Sequence, residues 1–247
     1  MLYRFFKTGL FRPVVKYLFR ADLVGEENIP TTGGVVLASN HLAAGDTFVL
    51  PAMIKRQMTF PAKAELFAGN RGLGSKVVAW FLKAVNQVPL DRSGGKVSLE
   101  GLRPVLDVLH AGGTVGIYPE GTRSPDGRLY RGKTGVARIA LAAGVPVVPV
   151  AMFGTETVKG FLGIPWINEP RIVIGEPLDF HEYFAFAEDR AVVRWVTDEV
   201  MAAIQELSGQ QYIDVYGSSV KYGSISSAEA DARALPRPGY GATPPSP

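Results

Sequence analysis

The chain of 247 residues contains no cysteine and only three histidines, His41, His110 and His181. The absence of cysteine excludes disulfides and thiolate metal sites within this sequence. The three histidines show neither the HxH nor the HExxH spacing that is typical of a zinc site. The composition therefore predicts a metal-free intracellular protein.

A continuous hydrophobic run of transmembrane length is also missing, although 47% of the residues are hydrophobic. The uncharged hydrophobic run from Ile139 to Thr155 is interrupted by Gly144, Pro146 and Pro149. It falls short of the roughly 20 apolar residues that a membrane-spanning helix needs. The N-terminus has no small-residue cleavage site of the kind that marks a signal peptide. The hydrophobic residues instead predict a sizeable core within one large domain.

Acidic residues are absent from the first twenty positions, which hold five basic residues among many aromatic and aliphatic ones. In a helix, Arg12, Lys16 and Arg20 would form one basic stripe beside Leu18 and Phe19. A basic amphipathic helix of this kind lies in a membrane interface, with its cations near anionic headgroups. The alternative is a terminal helix packed on the domain with its bases in water. Membrane lipids are the predicted partner, and nucleic acid is not, because no nucleic-acid motif accompanies the bases.

Short β-rich runs alternate with helical patterns between residues 25 and 210. This alternation predicts an α/β fold with a mainly parallel central sheet flanked by helices. Ligands of such folds bind at the carboxyl ends of strands, and the loops 39–46 and 118–124 both follow predicted strands. We therefore expect basic amphipathic helices over 1–24, an α/β domain over 25–210 and a tail over 217–247. The tail is rich in Gly, Ser, Ala and Pro, and we predict it to be disordered.

The first of the two loops sets His41 and Asp46 five positions apart. Asn40 and Gly45 favour a turn that would let the two side chains meet where a strand leads into a helix. A carboxylate that accepts one imidazole N–H leaves the other ring nitrogen free to take a proton from a hydroxyl. General-base catalysis of this kind accelerates a reaction by about 10²–10⁴. The spacing alone leaves a second interpretation open, in which Asp46 caps the helix and His41 is hydrogen-bonded in the core.

The second loop, Tyr118 to Ser124, reads YPEGTRS. Its proline and Gly121 predict a tight turn, whose backbone N–H groups and the side chains of residues 122–124 could cradle an anion. Arg123 presents a planar fork that matches phosphate oxygens. Lys133 lies near the start of the next predicted helix, where the helix dipole also favours an anion.

Glu120 is a poor direct ligand for phosphate because both groups are negatively charged. We expect it instead to accept hydrogen bonds from Arg123 or from backbone N–H groups and to hold the loop. An ordinary turn with surface charges is the alternative interpretation of this segment.

Together the two loops resemble the glycerolipid acyltransferase family, of the bacterial 1-acyl-sn-glycerol-3-phosphate acyltransferase (PlsC) type. The first motif of that family, NHxxxxD, is matched by Asn40, His41 and Asp46. Its third motif is matched without a gap by Tyr118 to Ser124, with Tyr118 in place of the commoner Phe.

Three further segments extend the resemblance in order, from about Gly25 to Leu178. VPLDR resembles the second motif and places its arginine at Arg92. VPVVPV, residues 145–150, resembles the proline-containing fourth motif. AKAEL resembles a segment whose lysine, here Lys63, helps to hold the phosphate.

The resemblance implies transfer of a fatty acyl group from acyl-CoA or acyl carrier protein to the sn-2 hydroxyl of lysophosphatidic acid, which gives phosphatidic acid. It implies that His41 is the general base and that Asp46 orients it, with no metal and no cofactor beyond the acyl donor. It also implies a peripheral or monotopic location on the cytoplasmic face of the cell membrane. The residues implied for the substrate site are Lys63, Arg92, Glu120 (as support of the loop), Gly121, Thr122 and Arg123.

Two other functions are compatible with these motifs. The same chemistry could act on another lysophospholipid or a glycolipid, and a lipid-binding module without turnover could use the same phosphate site. A binding module would not need both His41 and Asp46, so their occurrence together favours an enzyme. The acyl chain is expected in an apolar tunnel, for which residues 77–85 (VVAWFLKAV) are candidates. The oligomeric state is not predicted.

Overall fold

The computed structural model describes residues 6–68, 72, 74–76, 79–80, 87–90, 99–159 and 165–246. The described strands are β1 (Asp22–Val24), β2 (Val35–Ser39), β3 (Met58–Thr59), β4 (Pro61–Lys63), β5 (Val88–Leu90), β6 (Thr114–Ile117), β7 (Leu129–Tyr130), β8 (Val147–Phe153), β9 (Thr157–Lys159), β10 (Pro165–Ile167), β11 (Arg171–Ile174), β12 (Tyr212–Ile213) and β13 (Ala234–Leu235). The described α-helices are α1 (Asp46–Met53), α2 (Leu99–His110), α3 (Gly135–Ala143), α4 (Arg190–Ser208), α5 (Gly217–Lys221) and α6 (Ser227–Asp231). Short 3-10 turns cover Glu26–Asn28, Ala64–Phe67 and His181–Phe186, and π-helical turns cover Phe6–Phe11 and Val14–Leu18.

Six of these strands form a central sheet in the order β1-β11-β8-β2-β6-β3. Neighbouring strands in it are parallel, except that β11 runs antiparallel to β8. The predicted α/β fold with a mainly parallel sheet is therefore confirmed. Because β2, β6 and β8 point the same way, the loops at their carboxyl ends meet at one edge of the sheet.

The middle strand of the sheet, β2, is buried along its whole length. Its side chains alternate between the two faces, as the two-residue period of a strand requires. Val36 and Ala38 pack on one face in a cluster with α2, α3 and α4. Val35 and Leu37 pack on the other face with α1 and Val15 of the N-terminal segment. Covering both faces explains why β2 is a continuous apolar run instead of an alternating one.

Local sequence sets the ends of the helices that cover the sheet. Asp189 caps α4 because its carboxylate accepts from the N–H groups of Ala191 and Val192 at 2.8 and 3.0 Å. Gly209 ends the same helix in the left-handed conformation, as Gly144 ends α3. The sequence of α4 thus supplies both its capping aspartate and its terminal glycine.

The N-terminal segment is helical, but the last residue of the predicted basic stripe, Arg20, falls outside its helical turns. The side chain of Lys7 is buried and donates to the carbonyl of Arg56 at 2.7 Å. Arg20 lies beyond the last turn with a φ of 58° and pairs with Glu169 at 2.6 Å. The stripe was predicted for an α-helix, in which residues i and i+4 lie on one face. In π-helical turns these positions are no longer aligned. Across the ranges that the structure describes, no helix is both long enough and apolar enough to cross a bilayer.

The tail after residue 216 is ordered in the structure, and the prediction of disorder is wrong. β12 pairs parallel with β7 and antiparallel with β13, so the tail closes a three-stranded sheet. Ser226 and Glu229 form a capping box at the start of α6. Tyr130, Ile213 and Ala230 lie in one small buried cluster. The few apolar side chains of the tail are spaced to bury against Tyr130, which its average composition does not reveal.

Candidate active site

The structure brings His41 and Asp46 together at the carboxyl end of β2. The imidazole Nδ1 of His41 lies 2.7 Å from Oδ2 of Asp46. Asp46 is fully buried, whereas the His41 side chain is 15% exposed. The pair therefore has the geometry of an orienting carboxylate behind an accessible imidazole.

The remaining lone pairs of Asp46 are also occupied. Its Oδ2 accepts from the N–H groups of Leu42 and Ala43 at 2.7 and 3.0 Å, and Oδ1 accepts from the hydroxyl of Thr155. Hydrogen bonds to the ionised form of a buried carboxylate stabilise its charge and fix its position. Thr155 is missing from the sequence predictions. Its place just after β8, at the same edge of the sheet, was the signal that could have identified it.

Gly45 lies in the turn that the sequence predicts, and Gly45 and Asn40 hold the loop through close packing and hydrogen bonds. Gly45 has an ordinary helical φ of −58°, and a Cβ there would lie 2.3 Å from the carbonyl oxygen of Thr155. Glycine is therefore required for close packing. The Asn40 amide accepts from the N–H of Met152 at 2.8 Å, donates to its carbonyl at 3.2 Å and donates to Gln210 at 2.8 Å. Asn40 thus fastens the end of β2 to β8.

The His41 ring lies at the end of a stack of three aromatic rings. It stacks on Tyr118 with the ring centroids 4.0 Å apart, and Tyr118 stacks on Phe60 at 5.4 Å. The phenol oxygen of Tyr118 is buried and has no hydrogen-bond partner among the described residues. Burial, with a smaller effect of the Asp46 charge, raises the pKa of Tyr118 well above its usual range. Tyr118 therefore acts as a neutral flat support for the imidazole.

Glu120 joins the two motif loops through backbone hydrogen bonds. Its carboxylate accepts from the N–H groups of His41 and Tyr130, each at 3.3 Å. The N–H of Ser124 completes the connection by donating to the carbonyl of His41 at 2.7 Å. Glu120 was expected to accept from Arg123 or from backbone N–H groups. Among the described residues, the donors are the backbone groups and not Arg123. Burial raises the pKa of Glu120 to about 8, although the two N–H groups oppose this rise.

Beside the dyad, residues 121–123 form the tight turn predicted from sequence. Gly121 adopts a φ of 70°, which glycine tolerates far better than other residues. Within the described part of the chain, the backbone N–H groups of Thr122 and Arg123 have no partner, so both remain able to bind an anion. Lys133 approaches the turn so closely that a Cβ on Gly121 would lie 3.2 Å from its Nζ. Ser124 is committed elsewhere, because its hydroxyl donates to the Arg128 carbonyl at 2.7 Å.

A cleft of about 350 Å³ connects the dyad with this turn. His41, Tyr118, Gly121, Thr122 and Arg123 line it, together with Lys221 and Tyr222 of the C-terminal segment. The sequence predictions contain neither Lys221 nor Tyr222. Both residues belong to the tail that was expected to be disordered, and no motif marks them.

Several predicted site residues lie outside what the structure describes. Arg92 and most of residues 77–85 fall outside the described ranges. Lys63 ends β4, next to β5, but its side chain is likewise not described. Within the described ranges, no three His, Asp or Glu side chains form a group that could hold a metal ion. The roles of Lys63 and Arg92, and the absence of a metal, stay predictions.

Both loops lie within the part of the chain that matches a known protein family. Residues 20–153 match the family model described as Acyltransferase. The chloroplastic 1-acyl-sn-glycerol-3-phosphate acyltransferase BAT2 of Brassica napus is 31% identical over 163 residues, which are 65% of this chain and 45% of the relative. The 1-acyl-sn-glycerol-3-phosphate acyltransferase of Bacillus subtilis is 29% identical over 211 residues, which are 85% of this chain and 98% of the relative.

A solved structure shares the fold. It is the crystal structure of the 1-acyl-sn-glycerophosphate (LPA) acyltransferase PlsC from Thermotoga maritima, with a TM-score of 0.55 and 24% sequence identity. The match covers 83% of this chain and 82% of that one. In contrast, this chain spans less than half the length of the chloroplastic relatives that it matches.

Proposed function

The chain belongs to the Acyltransferase family, and from that membership we propose that it transfers a fatty acyl group to the sn-2 hydroxyl of lysophosphatidic acid, which yields phosphatidic acid. The observation that carries the proposal is the oriented dyad beside an anion-binding turn in one cleft. The donor is a thioester, acyl-CoA or acyl carrier protein, and no further cofactor takes part.

The geometry of the dyad assigns the proton transfers. Asp46 accepts the Nδ1 proton of His41, so Nε2 is the nitrogen that takes the proton from the acceptor hydroxyl. The hydroxyl oxygen then attacks the carbonyl carbon of the thioester. As the new C–O ester bond forms, the C–S bond breaks and the departing thiolate takes the proton back from the imidazolium. Asp46 stabilises the imidazolium between these two transfers.

The turn at residues 121–123 supports a phosphate-bearing acceptor. It offers two backbone N–H groups without partners in the described part of the chain, beside the cations of Arg123 and Lys133. In lysophosphatidic acid, three bonds separate the phosphorus atom from the carbon that bears the sn-2 hydroxyl. The phosphate and the hydroxyl must therefore bind close together. A cleft that joins His41 to this turn meets that requirement. Lys63 and Arg92 complete the phosphate site in this proposal.

The N-terminal segment would bring the enzyme to its lipid substrate. Leu10, Tyr17 and Leu18 are 48, 73 and 52% exposed, and we call these three side chains the apolar patch. Lys16, also exposed, adjoins it in sequence. Exposed apolar side chains beside cations are typical of a surface that inserts into the headgroup region of a membrane. We propose peripheral or monotopic attachment to the cytoplasmic face of the membrane through this patch.

An acyl-transfer assay with purified protein tests the function directly. Acceptors would be lysophosphatidic acid, lysophosphatidylglycerol, lysophosphatidylcholine and a monoacylglycerol, each with acyl-CoA and with acyl carrier protein. We expect lysophosphatidic acid to give the highest kcat/KM and the His41→Ala variant to lose nearly all of the wild-type turnover. Preference for a different acceptor would replace the substrate assignment. Lipid binding without turnover by the wild-type protein would instead identify a binding module.

A further inference from the structure

The C-terminal segment packs against the loop that forms the anion-binding turn. β12 pairs with β7, which directly follows that loop. A Cβ on the buried Gly217 would lie within 3.5 Å of both Tyr130 and Thr122. An ion pair at 2.5 Å between Arg128 and Asp231 adds a second connection. The segment is therefore held at the site by packing, strand pairing and charge.

This packing places Lys221, the last residue of α5, in the cleft of the dyad. Its Nζ lies 3.3 Å from the hydroxyl of Thr122, and the residue lines the cleft together with His41 and Arg123. Within the described part of the chain, neither Lys221 nor Arg123 makes an ion pair. Lys221 thus brings a further cation without a carboxylate partner to the turn that carries Arg123.

The distribution of acidic residues indicates where an anion would bind. Of the described residues that line the cleft of the dyad, none is acidic. Arg123 and Lys221 also border an adjoining cleft, but that one contains Asp126, whose carboxylate is already paired with Arg128. An anion meets no carboxylate in the first cleft, whereas in the second it would lie beside the carboxylate of Asp126, which Arg128 already neutralises. Only the first cleft also contains His41.

From this arrangement we propose that Lys221 is a specificity-determining residue, which binds the phosphate of the acceptor together with Arg123 and selects phosphate monoesters over phosphodiesters. A monoester carries about −1.5 to −2 charges at neutral pH, whereas a diester carries one. A further cation beside those of Arg123 and Lys133 therefore favours the more highly charged monoester. The inference rests on the proposed acyl transfer, and it extends the substrate site to a segment beyond residues 20–153 that match the family.

Steady-state kinetics with short-chain, water-soluble acceptors tests this inference without the influence of membrane binding. Lys221→Ala should raise the KM for lysophosphatidic acid about tenfold with little change in kcat, which is the effect of losing one charge-assisted hydrogen bond. The KM for lysophosphatidylglycerol should change less, and Lys221→Arg should restore most of the loss. Lys55→Ala is the matched control, because Lys55 is an exposed lysine that lies beyond the C-terminal end of α1. Asp46 is at the opposite end of that helix.

The outcomes separate this inference from the proposed function. If wild-type protein acylates lysophosphatidic acid and Lys221→Ala leaves its KM unchanged, the role of Lys221 is refuted and the function stands. A higher KM for acyl-CoA alone would place Lys221 at the donor phosphates and would also refute it. Direct binding of lysophosphatidic acid to His41→Ala protein, with and without Lys221→Ala, gives a readout that does not need turnover. Equal affinity in that measurement overturns the inference even if the wild-type enzyme prefers another acceptor.

Discussion

Replacing Asp46 by asparagine separates the charge of this residue from its hydrogen bonds. Oδ2 accepts three N–H groups, from His41, Leu42 and Ala43, whereas Oδ1 accepts the hydroxyl of Thr155. An amide fits this pattern in one orientation, with its oxygen at the Oδ2 position. Its NH₂ group would then donate to the Thr155 hydroxyl, which can accept as well as donate. The opposite orientation would place NH₂ against three N–H donors. We therefore expect Asp46→Asn to fold and to keep the His41 tautomer.

The loss of activity should then report the lost charge. At an effective dielectric constant of about 20 and a charge separation of about 4 Å, the carboxylate stabilises an imidazolium by about 4 kcal/mol. A change of about 1.4 kcal/mol is tenfold in rate, so we expect kcat to fall about 10³-fold. Thr155→Val is the comparison variant, because it removes one hydrogen bond to Asp46 and no charge. It should reduce kcat by about tenfold or less.

The measurements are single-turnover acyl transfer to lysophosphatidic acid and thermal unfolding of each variant. In the double variant with His41→Ala, the Asp46→Asn change should cost nothing further, since an orienting carboxylate has no effect without its imidazole. A kcat for Asp46→Asn within tenfold of the wild type would show that Asp46 only fixes the loop of residues 41–43. An additive loss in the double variant would contradict the dyad.

Three further changes test the packing, the buried acid and the apolar patch. Gly45→Ala should destabilise the protein by about 1–3 kcal/mol, because the new Cβ would collide with the Thr155 carbonyl; Gly135→Ala, with nothing within 4 Å, should be close to neutral in the same urea unfolding experiment. Because burial raises the pKa of Glu120 from 4.5 to about 8, the folded protein keeps a proton that the unfolded chain releases. Stability should therefore decrease between those pH values by up to about 1.4 kcal/mol per pH unit, and a Glu120→Gln variant with the same slope would contradict this. Serine at all three positions of the apolar patch should weaken co-sedimentation with anionic vesicles by more than about tenfold, with unchanged circular dichroism; undiminished binding would exclude the patch as the membrane contact.

Point variants of the patch are preferable to deletion of the N-terminal segment. Val15 is fully buried in the core cluster that includes α1, and the buried side chain of Lys7 bonds to the carbonyl of Arg56 at 2.7 Å. Removing the segment would therefore expose core surface as well as the patch. The loss of membrane binding that follows could not then be assigned to the exposed side chains.

Local sequence was sufficient for most of the fold and for the contact between His41 and Asp46. β2 is predictable because five consecutive apolar or small residues fit a strand that is buried on both faces. The helix over 190–208 is predictable because a capping aspartate and a terminal glycine bracket an apolar period. The position of His41 and Asp46 after such a strand indicated that they would meet. These features depend on neighbours in the chain, so a pattern along the chain can predict them.

Contacts between distant segments were decided by the tertiary structure alone. Thr155 bonds to Asp46 from 109 positions away, and Asn40 fastens to Met152 across 112. No spacing rule relates such residues, because the packing of β2 beside β8 brings them together.

The two motif loops and the tail differ most clearly in what their sequence alone could predict. The sequence by itself determined an α/β sheet, a histidine–aspartate pair at the end of β2 and a tight turn after β6, since each is a local property of strands and turns. Only the tertiary structure decided that the tail is ordered and that it carries Lys221 into the cleft. The physical reason is that a few apolar side chains are enough to order the tail when they can pack against Tyr130. The surface around Tyr130 is formed by the folded domain, so the composition of the tail does not reveal it.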